Sequence, residues 1–409
     1  MRLQTGWLHM RILRRLVILA VAAAACGSSA AAGPINHVFV IVLENQGYET
    51  TFDRHSPALY LSRTLTAQGV KLEQYFGTGH FSLDNYLAMI SGQAATPETR
   101  DDCEVFADFA ARGTMPDGQA IGRGCVYPAS VRTLADELAA VGATWRGYME
   151  DMGNDPAREA ARCGQPPLNA PDPTQAAEPP SARVPAGDAY AARHNPFVYF
   201  HSIIDTPACA ANVVNLDALE RDLRSTRTTP NFAFITPNLC HDGHDAPCKN
   251  GEPGGLRSAD AFLRLWVPRL LASPAYREGG LIVITFDEGE PELESTTSAG
   301  KFLQYAGAKC CGQQPGPNLA AFPQIERDGE WTMRFRDYGG ERIGAVLVSR
   351  WLPAGAVSRT PFNHYSLLRT VEDLLGTGTH LGYAGQPGLA GFFERGTSDL
   401  TLLARPRVR

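Results

Sequence analysis

Past residue 32, the 409-residue chain has no apolar run long enough to cross a bilayer, which excludes a membrane-spanning helix from its body. It has no C-x-x-C pair, so its 9 cysteines do not form a zinc site of the usual spacing. Positive charge is scarce too: 37 Lys and Arg against 43 Asp and Glu leave a net charge of −6. Non-specific nucleic-acid binding is therefore excluded, because displacing phosphate counterions takes a surplus of Lys and Arg. Heptads and internal repeats are absent, which excludes a coiled coil or a solenoid. What the chain does have is 44% hydrophobic content, enough to bury a large core.

The first 32 residues read as a secretory signal peptide. Arg11, Arg14 and Arg15 precede the apolar run Leu16 to Cys26, and small residues close at Ala30-Ala31-Ala32, with Met10 as an alternative start. The expected product is secreted or periplasmic. Cys26 resembles a lipid-attachment cysteine, although the bulky residue expected three positions before it is missing. Losing the leader's four arginines takes the charge to −10, so an anionic substrate must be drawn by a local site. Eight cysteines remain, which in an exported chain predicts up to four disulfides, with Cys240 and Cys248 close enough to clamp one loop.

Short apolar segments at residues 37–43, 231–235, 280–286 and 342–348 suit strands buried on both faces of a parallel sheet. Helical patterns lie between them, at 57–68, 83–91, 131–141, 258–271 and 364–375. The alternation predicts one α/β domain from residue 33 to 409, a layered sandwich about a mostly parallel sheet. The Pro/Ala-rich stretch 165–187 and the Gly/Pro/Ser-rich stretch 289–331 read as surface insertions tethered by disulfides.

Ligands of open α/β sheets collect beyond the carboxyl ends of strands, and this sequence places its unusual polar residues there. The first apolar strand ends in Glu44-Asn45 and the third in Asp287-Glu288. Each pair alone reads equally well as a strand-end turn. Together they suggest a hard-oxygen set for Mg, Ca or Mn, with nearby histidines admitting Zn or Fe, since close carboxylates repel unless a cation or a proton sits among them. The run "TPNLCHDGHDAPC" adds His241, Asp242, His244 and Asp245, and His364 opens the last helix.

Ser82, in "HFSLDNYLAMISG", sits at or just before the first turn of a helix, where a serine is either an N-cap or a nucleophile. In the second reading a metal ion activates Ser82 and Asn85 donates its amide to an oxygen of the group under attack. The order Ser82, Asp287, His364 also matches an α/β-hydrolase triad. Against that rival, Gly79-His80-Phe81-Ser82-Leu83-Asp84 lacks the second glycine of G-x-S-x-G. No cysteine opens a C-x-P-x-R pattern, which disfavours sulfatase chemistry. What remains is phosphoryl transfer through a serine and a metal.

The blocks "HVFVIVLENQGYETTF", "GHFSLDNYLAMISGQ", "TPNLCHDGHD", "ITFDEGE" and "TPFNHYSLLRTVEDLLG" together resemble the bacterial phosphoesterase family that holds exported acid phosphatases and phospholipases C. The resemblance implies an alkaline-phosphatase-like three-layer α/β/α sandwich and hydrolysis of phosphate esters through a phosphoserine or phosphothreonine intermediate. It implies one divalent ion on Glu44, Asn45, Asp287 and Glu288, and Ser82 as nucleophile. His241, Asp242, His244 and His364 fall on the family's histidine motifs, which hold the phosphate and assist the leaving group; His244 and His364 are the candidates for that proton transfer. Ser82 to Asn85 is similar to the Thr-Phe-Pro-Asn of nucleotide pyrophosphatases, in which Asn binds a phosphate oxygen, and His80 either lines the pocket or packs. The usual Glu-Asn-x-Ser-Phe-Asp is here Glu-Asn-Gln-Gly-Tyr-Glu, and Asp84 replaces a common proline. The expected ligand is a phosphorylated small molecule or a phospholipid head group. A phospholipase C, a serine esterase and a non-catalytic phosphate-binding protein are the alternatives.

Overall fold

The apolar segment HVFVIVL forms strand β1 (His37–Leu43), with all seven residues buried, at the centre of an eight-stranded sheet. In a computed structural model describing residues 34–298 and 300–407, the other strands are β2 (Val70–Leu72), β3 (Trp145–Met149), β4 (Val213–Asn215), β5 (Phe232–Thr236), β6 (Gly280–Phe286), β11 (Ala345–Ser349) and β12 (Ala356–Ser358). Their order is β12-β2-β11-β6-β1-β5-β3-β4. Only β11 runs against the rest, pairing antiparallel with both β6 and β2. β6 and β5 are as fully buried as β1, the signature of strands covered on both faces. The expected signal segment and Cys26 lie outside the described residues.

Two helix groups complete a three-layer α/β sandwich. In one, α1 (Ser82–Ser91), α2 (Leu134–Ala140) and α4 (His364–Leu375) pack together. In the other, α3 (Gly255–Ala272) packs on the helical turns over 60–65 and on Pro274–Gly279. α2 starts two to three residues later than its periodicity predicts, because Thr133 and Asp136 form a reciprocal capping box there. Asn363 and Ser366 do the same for α4.

All eight cysteines of the described chain are paired, as Cys103–Cys125, Cys163–Cys209, Cys240–Cys248 and Cys310–Cys311. The Cys240–Cys248 clamp is as expected. The tether of segment 289–331 is not, since Cys310 and Cys311 bond to each other and hold nothing remote. That segment folds instead as a four-stranded sheet of β7 (Leu293–Thr297), β8 (Gly300–Tyr305), β9 (Gln324–Asp328) and β10 (Trp331–Phe335), in the order β7-β8-β10-β9. Segment 165–187 has no strand or helix of its own; the buried Arg158 guanidinium holds it by donating to the Ala176 carbonyl and to Asp188.

Candidate active site

Ser82 does not cap its helix. The N-cap position belongs to Phe81, which has extended backbone and no side-chain cap, and Ser82 Oγ donates to Glu44 Oε2 at 3.0 Å. The second turn residue, Leu83, gives its N–H to the Asp102 carboxylate at 3.0 Å. Ser82 therefore faces the ends of β1 and β6 from the positive end of α1.

β1 and β6 are paired in register from His37 with Gly280 to Leu43 with Phe286, so Glu44-Asn45 and Asp287-Glu288 leave the sheet side by side. Asn45 takes a left-handed backbone, φ 51°, and its N–H donates to Asp287 Oδ1 at 3.0 Å. Its side-chain amide donates to Glu44 Oε2 at 3.0 Å. Glu44, Asp242, Asp287 and Glu288 are all buried. Burial first, and the neighbouring carboxylates second, push Asp242, Asp287 and Glu288 well above the usual carboxylate range. Burial also lifts Glu44 to about 6. Asp242 Oδ2, Asp287 Oδ2 and Glu288 Oε2 are buried without a hydrogen-bond partner, a cost of about 1–3 kcal/mol for each neutral group and more for a charged one.

Two residues here escaped the sequence reading. His194, on a short helical turn at Ala192–His194, places Nε2 3.0 Å from Glu44 Oε1 and Nδ1 3.9 Å from Asp242 Oδ2. Its ring stacks on Tyr86 at 5.1 Å, and burial holds its pKa well below the ordinary value, leaving a neutral imidazole. Glu44, His194 and Asp242 can each turn one ligand atom toward a common point. Arg193, beside it, lines the same pocket as Ser82. The one signal in the sequence was the polar Arg193-His194-Asn195 run ahead of Pro196.

The pocket, about 360 Å³, is lined by Glu44, Asn45, Ser82, Arg193, His244 and Glu288, among others. The structure thus brings together Ser82, His244 and the four expected ligands Glu44, Asn45, Asp287 and Glu288, with Asp242 behind them. It does not bring His241, whose ring bridges Glu150 at 2.9 Å and Glu252 at 3.1 Å. Burial works against charge on His241, yet those carboxylates outweigh it and lift the pKa to about 9. Nor does His364 reach the pocket: fully buried, it contacts the Asp287 carbonyl at 2.5 Å through Nε2 and the Tyr75 hydroxyl at 3.0 Å through Nδ1. No triad forms, since His364 meets the backbone of Asp287 and not its carboxylate.

Asn85 is placed differently from the expectation. Its Oδ1 accepts from Thr78 N at 2.7 Å, Gly79 N at 3.1 Å and Thr78 Oγ1 at 3.1 Å. Its Nδ2 donates to Gly79 O at 3.2 Å and Phe81 O at 2.9 Å. Both amide hydrogens are committed to the loop that delivers Ser82, leaving none for a substrate. A Cβ at Gly79 would lie 2.3 Å from Asp84 Oδ1, so a side chain there would displace the buried Asp84 carboxylate. His80 lines the pocket, while Nε2 meets the Asp337 carbonyl at 2.9 Å and Nδ1 stands 3.3 Å from Glu341.

An α/β sandwich with a serine at a helix N-terminus, aimed at carboxylates released by adjacent parallel strands, defines a class of protein whose chemistry sits at the strand carboxyl ends. A sequence profile of the Phosphoesterase family matches residues 52–377, and the chain belongs to that family. An acid phosphatase of Aspergillus fumigatus is 24% identical over 253 residues, covering 62% of this chain and 44% of its own. The phosphatidylinositol-3-phosphatase of Mycobacterium tuberculosis is 25% identical over 292 residues, covering 68% of this chain and 76% of its own. The chain spans less than half the length of the fungal acid phosphatases it matches. Among solved structures, a protein in the alkaline phosphatase superfamily from Vibrio parahaemolyticus superposes with a TM-score of 0.42 at 10% identity, covering 84% of this chain and 66% of its own.

Proposed function

We propose that the protein is an exported phosphomonoesterase of the acid phosphatase type, using one divalent cation and a phosphoserine intermediate on Ser82. The observation that carries this reading is the 3.0 Å hydrogen bond from Ser82 Oγ to Glu44 within a cluster of buried carboxylates that have unpartnered oxygens. That donor set fits a cation: Glu44, His194 and Asp242 have ligand atoms within 4.8 Å of one another and would hold it, with Asn45, Asp287 and Glu288 alongside. Oxygen ligands suit Mg, Ca or Mn, and the neutral imidazole of His194 widens the choice to Zn or Fe. When bound, the ion offsets the carboxylate charge, favours the ionised serine and polarises the phosphoryl group.

The chain's own residues account for the rest. The Ser82 proton passes to Glu44 Oε2 as Oγ bonds to phosphorus and the bond to the leaving oxygen breaks, and it returns to Oγ when water cleaves the serine ester. Arg193 offsets charge on the equatorial oxygens. His244, the histidine free to face the pocket, gives a proton to the leaving alcohol and then takes one from the water that cleaves the Ser82 ester. His364 and Asn85 act as positioning residues, the first on the Asp287 backbone and the second on loop 78–81. Among the described residues no helix is long and apolar enough to cross a membrane, and the four disulfides suit an oxidising compartment.

The test is Ser82→Ala assayed with p-nitrophenyl phosphate. Turnover should vanish while melting temperature and metal content stay at wild-type values. Retained turnover rejects Ser82 as nucleophile. A wild-type protein that keeps full activity in chelator and is blocked by a fluorophosphonate is a serine esterase instead.

A further inference from the structure

The inserted sheet has a job beyond covering the body, and its strand register shows which side faces inward. β8 pairs with β10 so that Leu303 lies opposite Met333, and Tyr305 opposite Phe335. β7 and β9 bring Glu294 beside Leu303 and Glu326 beside Met333. Residues opposite one another share a face, and this face looks onto the catalytic body. His80 packs on Tyr305 at 5.1 Å and on Phe335 at 5.2 Å. Arg100 lies 4.5 Å over the Phe335 ring and reaches Glu326 at 2.8 Å and Gln324 at 2.7 Å. The sheet is thus clamped to the residues that flank Ser82.

Beneath it, the pocket holding Ser82 continues into a second hollow of about 290 Å³, the two sharing Phe81, Asp102, Leu303 and Trp331. The second hollow adds Met333, Glu104 and Glu326. The trough therefore leads away from the nucleophile between walls that each carry both apolar or aromatic residues and carboxylates. Leu303, Trp331, Met333, Glu294 and Glu326 come from the inserted sheet, and Phe81, Asp102 and Glu104 from the body.

We propose that this trough is the leaving-group subsite, and that it selects phosphate esters of neutral, polyhydroxylated alcohols, sugars and polyols, over nucleoside di- and triphosphates. The inference rests on the phosphomonoesterase reading above. Sugar rings offer C–H faces to Trp331, Leu303 and Phe81, and hydroxyl donors to Asp102, Glu104 and Glu294, which as carboxylates only accept. Nucleoside di- and triphosphates bring further negative charge against those same carboxylates. An acyl chain strips them of water without replacing its hydrogen bonds.

The experiment compares kcat/KM for glucose 6-phosphate, ethyl phosphate and ATP in the wild type, Trp331→Ala and Glu104→Lys/Glu294→Lys, with melting curves for each. In the wild type the sugar phosphate should lead ATP. Trp331→Ala should cost the sugar phosphate about tenfold more than it costs ethyl phosphate, the size of one aromatic contact. The double charge reversal, at two exposed positions and read only where its melting curve matches wild type, should raise kcat/KM for ATP about tenfold relative to ethyl phosphate. Equal losses on all esters, or no change of the ATP ratio, overturn the subsite while leaving the phosphatase reading in place. Binding to Ser82→Ala, read by calorimetry with glucose 6-phosphate and inorganic phosphate, separates the two. Sugar phosphate bound more tightly than phosphate supports the subsite even where the wild type turns over no ester, a result that removes the phosphatase reading alone.

Discussion

Replacing Asn85 separates two roles that its position beside Ser82 leaves open. If its amide only holds loop 78–81, Asn85→Ala strips partners from the N–H groups of Thr78 and Gly79 and from the carbonyls of Gly79 and Phe81. Asn85 is fully buried, so water does not freely replace them. Each unpaired group costs about 1–3 kcal/mol, and single substitutions seldom exceed about 4–5 kcal/mol, so the expected loss is about 3–5 kcal/mol. At about 2 °C per kcal/mol for a large domain, the melting temperature should drop by about 6–10 °C. Activity should fall with it, because Ser82 hangs from that loop. Asn85→Asp keeps Oδ1 in place but turns the Nδ2 donor into an acceptor facing two carbonyls. Its stability should sit between wild type and Asn85→Ala at neutral pH and recover on acidification, when the acid can donate again. Calorimetric melts and p-nitrophenyl phosphate kinetics on the same preparations decide the matter. An Asn85→Ala protein that melts within 1 °C of wild type yet loses about two to three orders of magnitude in kcat refutes the loop role and returns Asn85 to the substrate.

Metal removal should abolish turnover and lower the melting temperature, with saturating ion restoring about 2.7 kcal/mol at a hundredfold excess over Kd; metal-free protein, by elemental analysis, with full activity contradicts this. His244→Ala should slow p-nitrophenyl phosphate through the lost base and alkyl phosphates about a hundredfold more, since only their leaving group also needs an acid; His364→Phe should slow both alike and lower the melting temperature. Burial lifts Glu372 to about 8, so the folded state holds a proton that the unfolded chain has released above its ordinary pKa, and stability falls as pH rises from about 4.5 to 8. Glu372→Gln keeps the acceptor that Leu381 N uses at 2.9 Å. It should raise the melting temperature at pH 8 and leave it unchanged at pH 4; an identical shift at both rules out the titration.

The sheet's centre was legible because β1 and β6 are unbroken apolar runs that end in acids. Trp145–Met149 was not, since Arg146 and Gly147 interrupt its apolar pattern, although it pairs with β5 over its full length. The inserted sheet was also hidden: β9 reads Gln-Ile-Glu-Arg-Asp, and the segment's Gly, Pro and Ser content looks like loop. In the site, residues that leave a strand end were readable because chain direction alone aims them. His194 was not, since only tertiary folding carries its turn to Glu44, 150 residues away in sequence. His241 and Asp242 show the limit of adjacency. Asp242 turns inward, its carbonyl accepting from Glu44 N at 2.8 Å, while His241 turns outward to Glu150 and Glu252.

The proposed cation answers a charge imbalance in the site. Glu44, Asp242, Asp287 and Glu288 are buried together, His194 is held neutral by burial, and among the described residues the one positive charge lining the pocket, Arg193, already faces Asp102 at 3.7 Å. Four carboxylates against one guanidinium cannot all remain ionised in so little water: either protons or a cation must make up the difference. Protonation keeps the fold but removes the acceptor that Ser82 needs, because a neutral Glu44 no longer draws the hydroxyl proton. A divalent ion would keep Glu44 ionised and able to accept from Ser82. The same ion would supply the local attraction for an anionic ester on a chain that is acidic overall, so on the proposed reading substrate capture and nucleophile activation share one group of buried carboxylates.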